Sequence, residues 1–408
     1  MSTTPSFVIV GASLAGATAA QTLRDEGFTG RITLLGDELQ RPYERPPLSK
    51  GLLLGETDRE KVFVHQEKWY AENDVDLRLG TAVTRIYRDA RNLTLADKSL
   101  VPYDALLLTT GATPRSLRLP GADLDGVLYL RRLEDSEKLR AAFATGPRVV
   151  IIGAGWIGLE TASAARAAGL EVTVLEQAKL PLLRVLGYDV AQFFADLHLD
   201  HEVDLRCGVE VEAVTGADGR VTGVRLGDGT RLGADLVLVG VGISPNDYLA
   251  ADAGLEMDNG ILVNERLRTS DPAIYAAGDV ANAYHPWLAR HLRVEHWANA
   301  RRQGAAAARA MLGHDVSFDR LPYFFSDQYD VGMEYTGYVE PDGYDEIVFR
   351  GDVAAREFVA FWLADGRVLA GMNVNVWDVT KPIEELITSR RKVDPGRLAD
   401  VAVPLGSL

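Results

Sequence analysis

Three glycines in the segment GAGWIG, Gly153, Gly155 and Gly158, have the spacing that is typical of a dinucleotide-binding loop. The first glycine permits a tight turn, the second lets backbone N–H groups approach a pyrophosphate, and the third allows close packing of helix on strand. Farther along, Glu176 is placed to hold both hydroxyls of an adenosine ribose. These residue types at this spacing indicate a site that binds a dinucleotide.

Such glycines need a strand before them and a helix after them. The apolar run Val149–Ile152 has the length of a buried strand, and strong helix formers then continue to Gly169. A second strand is predicted at residues 171–175 and is closed by Glu176. The sequence therefore predicts a complete βαβ unit whose helix N-terminus faces the phosphates. A glycine-rich turn in an ordinary parallel sheet is the plainer alternative.

An earlier segment repeats this unit. Residues 11–28, GASLAGATAAQTLRDEGF, align position by position with residues 153–170, GAGWIGLETASAARAAGL. Predicted strands at 7–10 and 31–35 flank a predicted helix at 17–26. Ser13 replaces the middle glycine, but its small side chain permits a close phosphate approach, and Asp37 is the candidate ribose acid. This internal duplication predicts two bound nucleotides.

The bulk composition bounds the kind of protein. At 408 residues the chain exceeds one ordinary core, so two or three domains are expected. A net charge of −15 argues against nucleic acid as a partner. No apolar run approaches the roughly 18 residues of a membrane span, and the N-terminus lacks the basic and apolar regions of a secretion signal. We therefore expect a soluble, cytoplasmic protein.

The chain has a single cysteine, Cys207. It therefore has no structural disulfide, no cysteine-based metal cluster and no redox-active cysteine pair. The position of Cys207 at a predicted strand end favours a structural thiol. His198 and His201 are better interpreted as surface histidines than as ligands, and no metal site is expected.

The remaining pattern predicts domain crossings and a distinct C-terminal region. A first crossing is predicted at residues 110–115, where Pro114 stops regular structure, and a second at residues 241–246. Alternating residues at 220–226 and 230–239 around a Gly-Asp-Gly turn predict a hairpin. Predicted strands at 329–338, 346–350, 357–364 and 367–376 and a helix at 381–391 indicate a separate α+β domain with an interface or covering role.

Further motifs complete a recognisable set: Pro-Pro-Leu-Ser-Lys at 46–50, a Thr-Gly turn at Gly111, Gly-Asp at Asp279, and Glu-His-Trp-Ala-Asn-Ala at 295–300. With both loops, they make nearly the whole chain resemble the FAD-dependent, NADH-oxidising ferredoxin reductases of bacterial dioxygenase and cytochrome P450 chains. These are similar to apoptosis-inducing factor and share the pyridine nucleotide-disulfide oxidoreductase fold.

The resemblance implies an α/β fold with two Rossmann-like dinucleotide-binding domains plus a C-terminal α+β domain. The FAD-binding domain would comprise residues 1–114 and 245–320, split around an NAD-binding domain at 115–244. The C-terminal domain would comprise residues 321–408.

The resemblance also implies a role for each matching residue. At the FAD, the pyrophosphate would be bound by Gly11, Ser13, Ala15 and Gly16, and the ribose by Asp37. The flavin would be lined by Arg45 and Lys50, its ribityl chain or phosphate would be bound by Asp279, and the pyrimidine end of its ring system by Trp297. The Val83 backbone would contact the adenine end, and Arg115 and Arg131 would help to hold the cofactor as a whole. The NADH would be held by Gly153, Gly155, Gly158, Glu160, Glu176 and Gly242. Glu176 should repel the 2′-phosphate of NADPH, although Lys179 and Arg184 could soften that preference.

Lys50 and Glu160 are the candidate catalytic residues. A glutamate in the first turn of a helix is usually a partner of the helix dipole, contributing under about 1 kcal/mol. By resemblance, Glu160 instead pairs with Lys50 near the flavin N5, where the pair would position the rings and tune the flavin. A buried pair seldom adds net stability, so burial would favour the functional interpretation. Phe325 stands where the family often has tryptophan, so the partner surface is less transferable.

Electrons that leave the flavin need an acceptor, and the lone Cys207 cannot supply the cysteine pair of a disulfide reductase. We therefore expect an external one-electron carrier, a ferredoxin or a rubredoxin. A basic cluster could steer an acidic carrier, or could be a solvated helix face; it comprises Arg290, His291, Arg293, Arg301 and Arg302. The alternatives are an NADH oxidase or quinone reductase, and a flavoprotein module that senses NADH. A monomer or weak homodimer is expected.

Overall fold

The computed structural model describes residues 4–408, so the first three residues of the segment searched for a secretion signal lie outside it. Contacts divide the chain into two compact units. The first unit contains the residues up to Arg45 together with Arg59–Thr113 and Ile243–Arg320. The second unit contains Pro46–Asp58, Pro114–Gly242 and Leu321–Leu408. Both units are therefore discontinuous in sequence.

The first unit is built on a parallel sheet. Its described strands run in the order Ile274–Ala276, Ala105–Leu108, Ser6–Val10, Arg31–Leu35 and Val75–Arg78. Parallel strands are covered on both faces, which explains their nearly continuous apolar sequences. The helices Leu14–Asp25 and Trp297–Met311 pack closely, and a Cβ at Gly304 would lie 2.3 Å from the carbonyl oxygen of Ala15.

Smaller elements complete the first unit. One antiparallel sheet contains Val83–Tyr87, Asn92–Leu95 and Leu100–Pro102, and a mixed sheet contains Ile261–Val263, Ala281–His285 and Arg290–Arg293. The short strands Ala112–Pro114 and Ile243–Pro245 pair where segments of this unit end. The shorter helices are Glu67–Glu72 and Tyr248–Asp252, with a 3₁₀ turn at Arg59–Val62.

The second unit repeats the parallel arrangement. Its described strands run in the order Asp204–Cys207, Val172–Glu176, Val149–Ile152, Leu236–Val239 and Val127–Leu128. The associated helices are Gly51–Leu54, Leu133–Phe143, Trp156–Ala167, Leu183–Leu186 and Tyr188–Asp200, with a 3₁₀ turn at Pro46–Ser49. The strands Val211–Ala217, Arg220–Leu226 and Arg231–Gly233 form a separate antiparallel sheet. The glycine loop follows a central strand, at the carboxyl edge where such sheets bind ligands.

The C-terminal part of the second unit is an antiparallel sheet. Its strands run in the order Tyr323–Gln328, Val331–Gly337, Arg367–Val374, Glu357–Ala364 and Glu346–Asp352. The helices Thr380–Ser389 and Pro395–Ala399 and a 3₁₀ turn at Leu405–Ser407 accompany it. Trp362 is buried, and its indole N–H donates to the carbonyl oxygen of Leu186 at 3.0 Å. That bond joins the sheet to the parallel part of the same unit.

The predicted α/β fold with duplicated parallel units is confirmed. The predicted bounds hold for Val83–Tyr87, Asn92–Leu95, Arg220–Leu226 and Glu357–Ala364. The strand predicted at residues 230–239 is wrong as one element, because Arg231–Gly233 extends the hairpin whereas Leu236–Val239 joins the parallel sheet. The strand predicted at 329–338 begins at Val331, because Tyr329 has a φ of 55° and lies in the turn.

The division into three domains remains a proposal, with residues 1–114 and 245–320 as one split domain, 115–244 as the second and 321–408 as the third. The contacts group Pro46–Asp58, which contains Lys50, with the second unit, and they group Leu321–Leu408 with that unit too. Within residues 4–408, no helix is both long enough and apolar enough to cross a membrane.

Candidate functional site: two nucleotide loops and a buried ion pair

The first nucleotide loop, residues 11–16, leaves the strand Ser6–Val10 at its carboxyl end. Gly11 has a φ of 121°, and a Cβ on it would lie 2.1 Å from the carbonyl oxygen of Thr109. The Thr109 hydroxyl donates to the Gly11 carbonyl oxygen at 2.9 Å. Ser13 precedes the helix, and among the described residues its side chain makes no capping hydrogen bond. This geometry fits the predicted pyrophosphate loop.

The second nucleotide loop, residues 153–158, has the same form. Gly153 has a φ of 103°, and a Cβ on Gly158 would lie 2.1 Å from the carbonyl oxygen of Gly153. A Cβ on Gly155 would meet no described atom within 4 Å, so space remains beside this residue. The first turn of the helix Trp156–Ala167 carries no acidic residue, so Glu160, which was predicted to lie in that turn, lies just beyond it. Open space and a positive helix end fit a dinucleotide pyrophosphate.

The acid at the end of the next strand is held against the second loop. One Glu176 oxygen accepts the backbone N–H of Ala154 at 2.7 Å, and the other accepts the backbone N–H of Ala178 at 2.8 Å. Because both oxygens are held, the carboxylate has a defined position beside the loop. Gly242 has a φ of 97°, and its carbonyl oxygen accepts the backbone N–H of Arg115 at 2.9 Å.

The predicted contact between Lys50 and Glu160 is confirmed. The Lys50 Nζ lies 2.9 Å from Glu160 Oε1, and Glu160 is only 5% exposed. The hydroxyls of Ser49 and Ser326 also donate to this carboxylate, at 2.5 Å and 2.7 Å. Asp327 is the second acid near Lys50, with 3.8 Å between Oδ2 and Nζ. Glu160 is therefore a buried carboxylate that accepts three hydrogen bonds, and not a surface partner of the helix dipole.

The interpretation of His198 as a surface histidine is wrong. Its side chain is fully buried, because the helix Tyr188–Asp200 turns that face toward the C-terminal strand. Its Nε2 lies 2.9 Å from Gln328 Oε1, and its Nδ1 lies 3.1 Å from the Tyr329 hydroxyl. His201 is partly exposed and stacks on the Tyr329 ring at 3.7 Å between ring centres.

Several predicted FAD residues fall in the first unit, each with a local contact. Arg45 bonds to Glu38 at 3.0 Å, and the Val83 carbonyl oxygen accepts the Tyr248 hydroxyl at 3.1 Å. Trp297 begins its helix, and the Arg301 guanidinium lies 5.5 Å from its ring centre. The other first-unit members of the set are Gly11, Ser13, Ala15, Gly16, Asp37 and Asp279. Lys50, Arg115 and Arg131 fall in the second unit.

The predicted basic cluster is smaller than expected. The Arg293 side chain is 9% exposed, forms an ion pair with Glu295 and donates to the Asp279 carbonyl oxygen. It therefore does not present a surface charge. Arg290, His291 and Arg301 are exposed, and Arg302 is partly exposed.

Two further residues singled out in the sequence, Cys207 and Phe325, have different surroundings. Burial, assisted by the Glu176 carboxylate, raises the pKa of the Cys207 thiol to about 11, so it is not a nucleophile at neutral pH. Phe325 is partly buried, with its ring centre 5.0 Å from Lys50 Nζ.

Sequence reasoning missed Ser49, Ser326, Gln328 and His198 as parts of this site. Two usable signals were present. His198 follows Ala191, Phe194 and Ala195 at the spacing of one helix face, and Ser326 and Gln328 alternate with charged or aromatic residues, as on the buried face of a strand. The strand Tyr323–Gln328 was not predicted, so the alternation was not assigned to a face.

Known proteins match this arrangement along the chain. A family model described as pyridine nucleotide-disulphide oxidoreductase matches residues 5–304, and one described as reductase C-terminal matches residues 323–408. The putidaredoxin reductase CamA of Pseudomonas putida is 40% identical, over 99% of this chain and 97% of its own length. The ferredoxin–NAD(+) reductase component of the anthranilate 1,2-dioxygenase system of Burkholderia cepacia is 39% identical, over 98% of each chain.

A solved structure is equally similar. The crystal structure of the covalent putidaredoxin reductase–putidaredoxin complex contains a chain 39% identical to this one, with a TM-score of 0.94. The match covers 98% of this chain and 97% of that chain.

Proposed function

Because the chain belongs to the pyridine nucleotide-disulphide oxidoreductase family, and within it to the ferredoxin reductases, we propose that it takes a hydride from NADH and passes electrons singly to a ferredoxin. Members of this group depend on FAD and use NAD(H). The ferredoxin would serve a ring-hydroxylating oxygenase or a cytochrome P450, since relatives are named for dioxygenase and CYP systems.

One observation carries the proposal: the buried pair of Lys50 and Glu160, on the helix that begins at the second nucleotide loop. A buried ion pair rarely adds net stability, because removing both charges from water offsets their attraction. Here the Glu160 side chain is 5% exposed and the Lys50 side chain 18% exposed. A pair that contributes little to stability but has a full set of hydrogen-bond donors is better explained by a role in the reaction.

The flavin, when bound, supplies the chemistry that accepts a hydride and releases electrons one at a time. The chain would supply position and charge. Gly11, Ser13, Ala15, Gly16, Asp37, Arg45, Val83, Arg115, Arg131, Asp279 and Trp297 would hold the FAD, and Gly153, Gly155, Gly158, Glu176 and Gly242 the NADH. Glu160 would keep the Lys50 ammonium in one place, where its charge tunes the reacting rings.

The acceptor is an external carrier. Cys207 is the chain's one cysteine and its raised pKa keeps it protonated, so a cysteine-based acceptor is not available. The partners of relatives are ferredoxin-type proteins. Rubredoxin is the narrower alternative, and it is tested by adding it in place of ferredoxin in an assay of cytochrome c reduction. We further propose a cytoplasmic enzyme, where NADH is supplied, acting as a monomer or weak homodimer.

The role of the ion pair is tested by Lys50→Met. Anaerobic stopped-flow mixing of the FAD-loaded enzyme with NADH should show flavin reduction slowed by about a hundredfold, because misplacing a positioning charge is that costly. Lys68→Met is the matched control, since Lys68 is 69% exposed and, among residues 4–408, its ion pair is with Glu72 one helical turn away, at 3.6 Å. An unchanged rate in Lys50→Met would overturn the proposed role.

The acceptor is tested with purified protein. Fast flavin bleaching by NADH and cytochrome c reduction that depends on an added ferredoxin would support the proposal. Fast peroxide production without a carrier would instead identify an NADH oxidase. A long-lived complex of reduced flavin with NAD⁺ and slow turnover would identify an NADH-sensing module.

A further inference from the structure

A series of hydrogen bonds leads away from Glu160 Oε1, whereas Ser49 contacts Oε2. Ser326 Oγ donates to Glu160 Oε1 at 2.7 Å, and Gln328 Nε2 donates to Ser326 Oγ at 3.1 Å. Gln328 Oε1 then lies 2.9 Å from His198 Nε2. The side chains that form this series are all buried, so its hydrogen bonds are shielded from water; they are Glu160, Ser326, Gln328 and His198.

The hydrogen bonds assign the protons along this series. Because the amide nitrogen of Gln328 donates to Ser326, its oxygen must accept, and His198 Nε2 must therefore carry a hydrogen. His198 Nδ1 then accepts from the Tyr329 hydroxyl, at 3.1 Å. Burial lowers the pKa of His198 to about 4, so the ring is neutral at neutral pH and has one donor and one acceptor. Every donation from Tyr329 onward points toward the Glu160 carboxylate.

The residues of this hydrogen-bond series lie on three separate elements of the second unit. Glu160 lies on the helix Trp156–Ala167, His198 on the helix Tyr188–Asp200, and Ser326 and Gln328 on the strand Tyr323–Gln328. Ser326 and Gln328 are two residues apart, so they share one face of that strand. The backbone N–H of Tyr329 also donates to Ser163 on the first of these helices, at 2.8 Å. The strand is thus tied to both helices by polar contacts.

We propose that His198 and Gln328 are positioning residues for Glu160, acting through the Ser326 hydroxyl. This inference rests on the proposed function, since it assigns these hydrogen-bonded residues a role in the same hydride transfer. Glu160 Oε1 accepts from both Ser326 and Lys50, so the direction of the serine hydroxyl determines where the ammonium group sits. A fixed neutral tautomer of His198 orients Gln328, and Gln328 orients that hydroxyl. The C-terminal sheet thereby supplies part of the hydride-transfer site.

Nitrogen NMR of the ¹⁵N-labelled, FAD-loaded enzyme tests the proton assignment. The His198 ring signals are identified as those lost in His198→Gln. If that variant does not fold, they are identified as those shifted in Tyr329→Phe, which removes the donor to Nδ1. We expect a neutral ring with hydrogen on Nε2 that stays neutral down to about pH 5. A hydrogen on Nδ1, or protonation at an ordinary histidine pKa, would overturn the assignment.

Kinetics of flavin reduction by NADH test the positioning role. Ser326→Ala and Gln328→Leu should each slow the step by about tenfold, equivalent to about 1.4 kcal/mol. The double variant should be no slower than Ser326→Ala, because Gln328 acts only through that hydroxyl. Ser326→Thr, which keeps the hydroxyl, should restore the rate and the charge-transfer absorbance of reduced flavin with NAD⁺.

A matched control separates positioning from general loss of packing. Thr161→Val removes a buried hydroxyl next to Glu160 on the same helix. Within the described part of the chain, this hydroxyl donates to the carbonyl oxygens of Ile157 and Gly158 and not to the carboxylate. The variant should leave the rate within about twofold. If the wild-type flavin is bleached by NADH but the network variants match this control, the positioning role fails. If NADH does not bleach the wild-type flavin, the proposed function fails instead, and the NMR result still stands by itself.

Discussion

The two nucleotide loops have similar backbones, and two of the aligned positions at which their side chains differ concern predicted site residues. Gly11 and Gly153 both have positive φ angles, and a Cβ on Gly16 would lie 2.2 Å from the Gly11 carbonyl oxygen, much as in the second loop. The first difference is Ser13 in place of Gly155. The second is Thr18, which aligns with Glu160. The glycines therefore have the same backbone role in both loops, forming a common frame, and we expect the chemistry to depend on residues that differ between the loops.

The loops are also anchored differently. The Thr109 hydroxyl, from the neighbouring strand, holds the Gly11 carbonyl oxygen in the first loop. In the second loop, the Glu176 carboxylate holds the backbone N–H of Ala154. The predicted ribose acid of the second loop is thus also its anchor, so we expect nucleotide choice and loop geometry to be coupled there.

The largest expected effect tests the common frame. Gly153→Ala should lower the free energy of unfolding by roughly 3 kcal/mol or more, because a Cβ would lie 2.4 Å from the Gly240 carbonyl oxygen at a φ of 103°. Gly155→Ala should change it by less than about 0.5 kcal/mol, because open space surrounds that position. Urea unfolding of the enzyme without added nucleotide measures both. Equal losses of unfolding free energy in the two variants would contradict the distinction between Gly153, which shapes the backbone, and Gly155, which borders space for a ligand.

The next expected effect tests the divergent position. Glu160→Ala should slow flavin reduction by NADH about a hundredfold, because Lys50 loses the carboxylate that holds it at 2.9 Å. Thr18→Ala, at the aligned position of the first loop, should change the rate by less than about twofold. The comparison is made by stopped-flow absorbance of the flavin. Similar losses in both variants would show that the position matters for the frame rather than for the reaction.

A third prediction concerns the buried histidine behind the second loop. The ordinary histidine pKa is 6.5, and burial lowers that of His198 to about 4. Between these two pKa values, the unfolded chain binds a proton at His198 that the folded chain does not bind. The contribution of His198 to the free energy of unfolding is therefore fully present above pH 6.5 and is lost as the pH falls toward 4. Between pH 7.5 and pH 5, His198 should account for a loss of about 2 kcal/mol.

The matching variant is His198→Gln, which cannot be protonated. Its unfolding free energy at neutral pH will be lower, but it should decline less steeply between pH 7.5 and pH 5 than that of the wild type. Parallel curves, measured by urea unfolding across this range, would show that His198 is not held neutral.

Local patterns in the sequence predict the frame, and long-range packing decides the rest. The glycine spacing, its strand and its helix lie within one short segment, so Gly153, Gly158 and Glu176 can be identified from the amino-acid sequence alone. Ser49 and Ser326 cannot, because they reach Glu160 from 111 and 166 residues away. His198 is different, because it follows Ala191, Phe194 and Ala195 at helical spacing and so shares their buried face. Its partner Gln328, 130 residues away, lies beyond local reasoning.

The smallest expected effect concerns nucleotide choice, where the two loops differ in their anchors. Glu176→Ala should lower the preference for NADH over NADPH about tenfold in kcat/KM, roughly 1.4 kcal/mol. Two causes add: the charge that repels a 2′-phosphate is removed, and the backbone N–H groups of Ala154 and Ala178 become available to an anion. Glu202→Gln makes a similar charge change on the same unit, but its side chain is 83% exposed and pairs with Arg166. It should leave the ratio unchanged, so an equal shift in both variants would mean that net charge, and not the anchor of the second loop, selects the nucleotide.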